Sequence, residues 1–172
     1  MKLSSLLWLA SLLPAAPAET LCLAATIYLE ARDQSELGQR AVAEVVLRRR
    51  DSGRWGDDVC AVVKAPKQFA PTLVPPSTRL VDVKAWEMAL SVAVGSLAAW
   101  SRPQAERHEV VPDASHFAAL DLANPRWARV YPQVAVIGDH TFFRGKSKGL
   151  RRGPAPGSGT TGEVYRSGPG PP

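Results

Sequence analysis

Apolar residues surround nearly every turn of the run from Leu21 to Arg32, which predicts a buried helix from Glu19 to about Arg32. A second helix is predicted over Glu36 to Arg50, with Ala41, Val42, Val45 and Val46 on one side and Arg40, Glu44, Arg48 and Arg49 largely on the other. Ser35, in the polar stretch Asp33 to Glu36, is its N-cap candidate. Two glycines between Asp51 and Gly56 end this helix, and Asp57 to Val63 reads as a short helix beyond them. Pro66, Pro71, Pro75 and Pro76 break regular structure between residues 64 and 81, around the pair Gln68 and Phe69. A further helix follows over Val83 to Ala99, with Trp86, Leu90, Val94 and Leu97 as its expected core stripe. Past Pro103 the pattern changes to β-branched and aromatic residues, predicting a strand at Ala114 to Ala118 and a hairpin over Val134 to Phe143. The fold class is therefore α+β, mainly helical in its N-terminal part with a small β-sheet near the C-terminal part.

The first 18 residues stand apart from this pattern. Lys2 precedes an apolar stretch from Leu3 to Leu13, and Ala16-Pro17-Ala18 supplies a small-x-small cleavage pattern, so residues 1–18 are expected to be a signal peptide removed after Ala18. Pro14, Pro17 and Glu19 stop the stretch short of the ~20 apolar residues a membrane-spanning helix needs, so no stable membrane insertion is expected after cleavage. The 172-residue chain then leaves one domain, residues 19–144, with a core of its own. Cys22 and Cys60 are a disulfide candidate in an exported chain, with two free buried thiols as the other reading. Neither stands in a Cys/His metal-ligand spacing, and no cofactor is implied.

The net charge of +5 changes meaning once it is placed. Setting aside Lys2, and the five basic residues and one acidic residue beyond Arg144, leaves 15 basic and 15 acidic residues in the domain. The basicity sits in residues 145–172, a Gly/Pro/Ser-rich stretch read as a flexible extension. Its readings are a solvated tail without a role and a weak contact with anionic wall polymers or membrane surfaces. A formally neutral body argues against a nucleic-acid-binding domain, which would carry its basic stripe on the folded surface.

Glu30 is the residue that invites chemistry. A carboxylate in so apolar a stretch costs several kcal/mol if left charged and unpaired, so it either pairs with Arg32 or Arg40 or holds its proton as a general acid. His116 and His140 lie beside aromatics in the predicted sheet, where each is a structural residue or a site residue. Gln68 and Phe69 offer an amide and a ring face to a sugar, or serve as a loop with a buried anchor. Trp127 reads as a core anchor. Nucleophile-elbow, P-loop and dinucleotide motifs are absent from the sequence.

Taken together, Cys22 to Arg32, Gly38 to Leu47, Val59 to Val63, Gln68-Phe69, Ala114 to Phe117, Asn124 to Ala128 and Ile137 to Phe143 resemble the SleB-type cell-wall hydrolase family, in family order. The resemblance implies a lysozyme-like fold and cleavage of peptidoglycan glycan strands, with Glu30 in the place of the catalytic acid and Gln68, Phe69, His116 and His140 lining the cleft. It implies a lytic transglycosylase acting at MurNAc–GlcNAc bonds. The alternatives are a lysozyme-type hydrolase, or a non-catalytic peptidoglycan-binding module. Hydrolysis would need a second acid, for which Asp33, Glu36, Asp113, Asp121 and Asp139 are the candidates. The chain departs from many relatives at Gln34, where they carry an acid, at Ala70, where serine is more usual, and after Phe117, where a second histidine is missing.

Overall fold

The computed structural model describes residues 1–145. The expected basic extension and its contact with anionic surfaces lie outside the described residues from residue 146 onward. Within them the chain forms α1 (Leu3–Ser11), α2 (Ala15–Ala31), α3 (Glu36–Asp51), α4 (Val59–Lys64), α5 (Val83–Trp100), β1 (His116–Ala118), β2 (Gln133–Ile137) and β3 (His140–Phe143), with 3₁₀ turns at Ala70–Thr72, Gln104–Glu106 and Arg126–Arg129.

Every residue from Cys22 to Tyr28 is buried, so α2 needs neighbours on all its faces, and it packs against each of the other four helices. α3 starts where its cap predicts: the Ser35 hydroxyl oxygen accepts the Gly38 N–H at 3.3 Å. Its expected polar face is only partly open to solvent in the fold, because Glu44 and Arg49 are buried. The Glu44 carboxylate accepts the Val110 and Val111 N–H groups at 2.7 and 2.9 Å, tying the segment before β1 to α3. Asp58 caps α4 by accepting the Ala61 N–H at 2.8 Å, and α4 returns Cys60 to Cys22. The two cysteines form a disulfide, with Cα atoms 5.3 Å apart.

α5 runs over the predicted span with its core stripe rotated. Ala89, Val92, Ala93, Ser96 and Trp100 are the buried positions, Trp86, Leu90 and Leu97 flank them half-buried, and Val94 is 54% exposed. Small residues let α5 lie close to α2, which a line of Trp and Leu would have held apart.

The sheet has strand order β1-β3-β2, antiparallel throughout, with Phe117 opposite Phe142 and Ile137 opposite His140. β3 is central and wholly buried. The β2–β3 hairpin turns at Gly138, whose φ of +55° fits a two-residue turn with glycine first. Phe142 joins Ala41, Val42 and Val45 of α3 in a second apolar cluster that fixes the sheet to the helices.

The stretch expected as a leader forms α1, which contributes Leu3, Leu6 and Ala10 to the main core, and Ala18 falls within α2. Among the described residues no helix is long and apolar enough to cross a membrane.

Candidate active site

Glu30 sits one residue before the end of α2, facing the 3₁₀ turn that starts at Ala70. The first N–H groups of such a turn lack partners within it, and the Ala70 N–H donates to Glu30 Oε1 at 2.5 Å. Burial raises the proton affinity of this carboxyl above the ordinary glutamate range; the Ala70 N–H and then the positive charge of Arg49 oppose that rise. Glu30 forms no ion pair among the described residues. Arg32, one expected partner, places its guanidinium 5.4 Å from the Tyr28 ring centroid. Arg40, the other, lines a cavity of about 300 Å³ between α3, α5 and the 107–109 segment, together with Glu36, Glu44 and Trp100. The sequence-predicted residues that line that cavity are Arg40 and Glu36, the latter a second-acid candidate; acid, cation and rings converge at Glu30 instead.

Arg49 organises the site, and it was not among the residues the sequence singled out. Only 5% exposed, it donates from Nε to the Ser115 carbonyl at 2.8 Å and from Nη1 to Gln68 Oε1 at 3.3 Å. Its guanidinium lies 4.6 Å from the Phe69 ring centroid and 4.9 Å from that of Trp55. Burial lowers its pKa to about 10, which leaves it charged at neutral pH. The signal available in the sequence was its spacing of three and four from Val46 and Val45, which sets it beside the apolar side of α3.

The site thus gathers Glu30, Gln68, Phe69 and His116 around one arginine. Gln68 also donates its amide to the Pro66 carbonyl at 3.3 Å. Phe69, expected as a possible ring face for a sugar, is 1% exposed and packs on Arg49 and Phe117, so it is the buried anchor of its loop. His116 pairs through Nδ1 with the Ser115 hydroxyl at 2.9 Å, amid the rings of Trp55, Trp127 and Tyr131. Burial first, then Arg49 and Arg54, lower its pKa to about 4, so the ring is neutral near pH 7. Trp127, half-buried, is part of this aromatic wall.

His140 lies apart from this cluster, at the other end of the β1–β3 register from His116. Its ring meets Phe117 edge-on at 5.2 Å, it is 6% exposed, and among the described residues its Nδ1 has no hydrogen-bond partner. Burial lowers its pKa, against the opposing pull of Asp33 and Asp139. Beside it, the Gln34 amide donates to the Asp139 carboxylate at 2.9 Å and to Asp33 at 3.3 Å, and its oxygen accepts the Asp139 N–H at 3.1 Å. The position that carries an acid in many relatives is here a neutral clamp on the hairpin.

The candidates for a second acid are drawn elsewhere. Asp33 and Asp139 are held by Gln34, Asp113 pairs with Arg144 at 2.9 Å, Glu36 lines the α3–α5 cavity, and Asp121 is exposed. The charge that acts on Glu30 is cationic. Among the described residues no three His, Cys, Asp or Glu side chains converge as a cation site requires.

A helix-cored α+β domain of the lysozyme-like kind, with one half-buried carboxyl at the end of its central helix, is the class that this fold and site define. The chain belongs to the Cell Wall Hydrolase family, whose sequence profile matches residues 33–143. It is 28% identical over 126 residues to the spore cortex-lytic enzyme of Oceanobacillus iheyensis and 27% identical to that of Bacillus cereus, in each case over 71% of this chain. It spans about two fifths of the length of these relatives, 40% and 42%. Among solved structures, the catalytic domain of the Bacillus cereus SleB protein matches with a TM-score of 0.55 and 25% identity, over 76% of this chain and 92% of that one. The catalytic domain of the germination-specific lytic transglycosylase SleB from Bacillus anthracis matches in fold with a TM-score of 0.56 at 24% identity, over 73% and 93%.

Proposed function

We propose that this chain is an exported enzyme that cleaves peptidoglycan glycan strands as a lytic transglycosylase, with Glu30 as both acid and base. The observation that carries this reading is the Glu30 carboxyl itself, buried enough to favour its proton and faced by a backbone donor and a cation with no second acid acting on it. Glu30 first gives its proton to the oxygen joining MurNAc C1 to GlcNAc, and that C–O bond breaks as positive charge develops at C1. The MurNAc C6 hydroxyl then attacks C1, closing a 1,6-anhydro ring, and its proton passes to the Glu30 carboxylate. The carboxyl ends as it began. Water is not consumed, so no second carboxylate is required, unlike an inverting hydrolase that must activate water across the ring.

The Ala70 N–H and Arg49 favour the carboxylate form that the second half of this cycle needs, while burial favours the acid form that begins it. Gln68 and His116 edge the site as a neutral amide and a neutral imidazole, suited to hydrogen bonding with sugar hydroxyls. His140 acts on the cleft through Phe117.

Cleavage after Ala18 would remove α1 and the first turn of α2 and leave Cys22, Glu30 and the rest of the site on the exported body. Its test is the mass of the secreted chain; an intact Met1 terminus refutes it.

The function is tested with Glu30→Gln and purified sacculi. The wild type should release 1,6-anhydro muropeptides detectable by mass, and the variant should lose at least ~10³-fold in rate, since the acid and base are one group. Reducing ends in place of anhydro ends would identify a hydrolase. Retained release by the variant would remove Glu30 from the chemistry, and binding to sacculi without turnover would make the chain a wall-binding module.

A further inference from the structure

Arg49 is more elaborately held than a surface counter-ion would be. It comes from α3, yet its hydrogen bonds go to Ser115, just before β1, and to Gln68, in the loop ahead of the 3₁₀ turn, and its flat face lies against the Phe69 ring. Gln68, Phe69 and Ala70 are consecutive, and Ala70 donates its N–H to Glu30. One side chain therefore ties α3, the approach to β1 and the strap that touches the acid.

We propose that Arg49 is a positioning residue, which seats the Gln68–Phe69–Ala70 strap against the Glu30 carboxyl and keeps a cation beside that acid without closing an ion pair on it. This inference rests on the reading of Glu30 as acid and base. A closed Arg–carboxylate pair would lock the carboxylate and deprive the cycle of its acid. A distant arginine would leave the proton too tightly held for the base step. Arg49 avoids both outcomes because its bonds from Nε to the Ser115 carbonyl and from Nη1 to the Gln68 side chain hold the guanidinium where it forms no ion pair with Glu30, so its charge reaches Glu30 through space. Lysine keeps the charge, but its compact ammonium cannot reproduce the planar fork or the stacking on Phe69 and Trp55.

The test compares wild type, Arg49→Lys, Arg49→Gln and Glu30→Gln, reading both the pH profile of anhydro-muropeptide release and the side-chain carboxyl resonance of Glu30 by ¹³C NMR titration. Arg49→Gln should lower the maximal rate ~10-fold or more and move the alkaline limb of the profile upward by ~1 pH unit, because removing a nearby cation disfavours the carboxylate. Arg49→Lys should keep the limb within ~0.3 unit of wild type while recovering only part of the rate. An unmoved limb and an unmoved Glu30 titration in Arg49→Gln would reduce Arg49 to an ordinary structural residue. If Arg49→Gln does not fold, Gln68→Ala carries the same test: loosening the strap should move the Glu30 titration upward, and an unchanged titration overturns the proposal. The NMR titration needs no turnover, so it judges Arg49 even if Glu30→Gln stays active and the acid/base reading itself fails.

Discussion

Gln34→Glu restores the acid that many relatives carry, and in this chain it should destabilise the fold. In the native corner the Gln34 amide nitrogen lies 2.9 Å from the Asp139 carboxylate and 3.3 Å from that of Asp33, while the amide oxygen takes the Asp139 N–H. Glutamate keeps the last contact and turns the first two into carboxylate–carboxylate oppositions. Two unit charges ~3 Å apart repel by ~1.4 kcal/mol even in water's dielectric, and a charge-assisted hydrogen bond of ~1.5 kcal/mol is lost as well. Both acids are exposed, so solvent and salt trim the total to about 2 kcal/mol at neutral pH, or a urea midpoint lower by about 1 M. Like-charge contact raises the folded-state pKa of the carboxyls above the unfolded value, so the native state binds the extra proton more tightly. The penalty is therefore full above both values and fades as pH falls through the folded one toward 4. Paired urea titrations of wild type and variant at pH 7 and pH 4 measure this. A variant as stable as wild type at pH 7, or one whose deficit is unchanged at pH 4, would refute the account of Gln34 as a neutral clamp.

Two further outcomes follow from other parts of the fold. Replacing Cys22 and Cys60 together by alanine opens a bridge spanning 38 residues, for which the chain-entropy model gives a loss of ~4 kcal/mol, read from urea midpoints of the oxidised wild type and the variant; equal midpoints would show that the bridge adds nothing to the packing of α2 on α4. His116, with its pKa lowered to about 4, should show no titration of its ring resonances between pH 6 and 8, and its contribution to stability, full above its unfolded value near 6.5, should be lost as pH falls from there through 4. A ring that titrates near 6.5 would place His116 in solvent.

The helices and hairpin were legible because their signals are local. Ser35 and its apolar neighbours start α3 within a turn of themselves, and Gly138 supplies the φ its hairpin needs. The orientation of α5 was not legible: which of two apolar stripes is buried depends on how closely α2 can approach, and small residues at Ala89 and Ala93 win over the larger Leu90 and Val94. The site was half legible for the same reason. Glu30 is conspicuous as an acid among apolar residues, whereas Arg49 looks like one more charge in the run Arg48 to Arg50. Only the tertiary arrangement separates the three: Arg48 pairs with Glu109, Arg50 with Glu19 and Asp51, and Arg49 is drawn inward to Ser115 and Gln68.

Two of the departures from the family pattern, at Ala70 and Gln34, fall where they leave the acid untouched. At Ala70 the contact with Glu30 is made by backbone N–H, which alanine supplies as well as serine does. At Gln34 the lost acid is offset by hydrogen bonds to Asp33 and Asp139 in a corner that faces His140 and not Glu30. What acts on Glu30 is burial, one peptide N–H and one guanidinium, all supplied by elements that the core and the disulfide-linked helices hold in place. For the acid-and-base role proposed for Glu30, such fixed, opposed influences serve best. A second titratable acid close by would instead tie its protonation to a neighbour's and divide the titration between two groups. Among the described residues no acid acts on Glu30, which suits the proposed chemistry by a single carboxyl, whereas Gln34 in its separate corner bears on the hairpin and not on that titration.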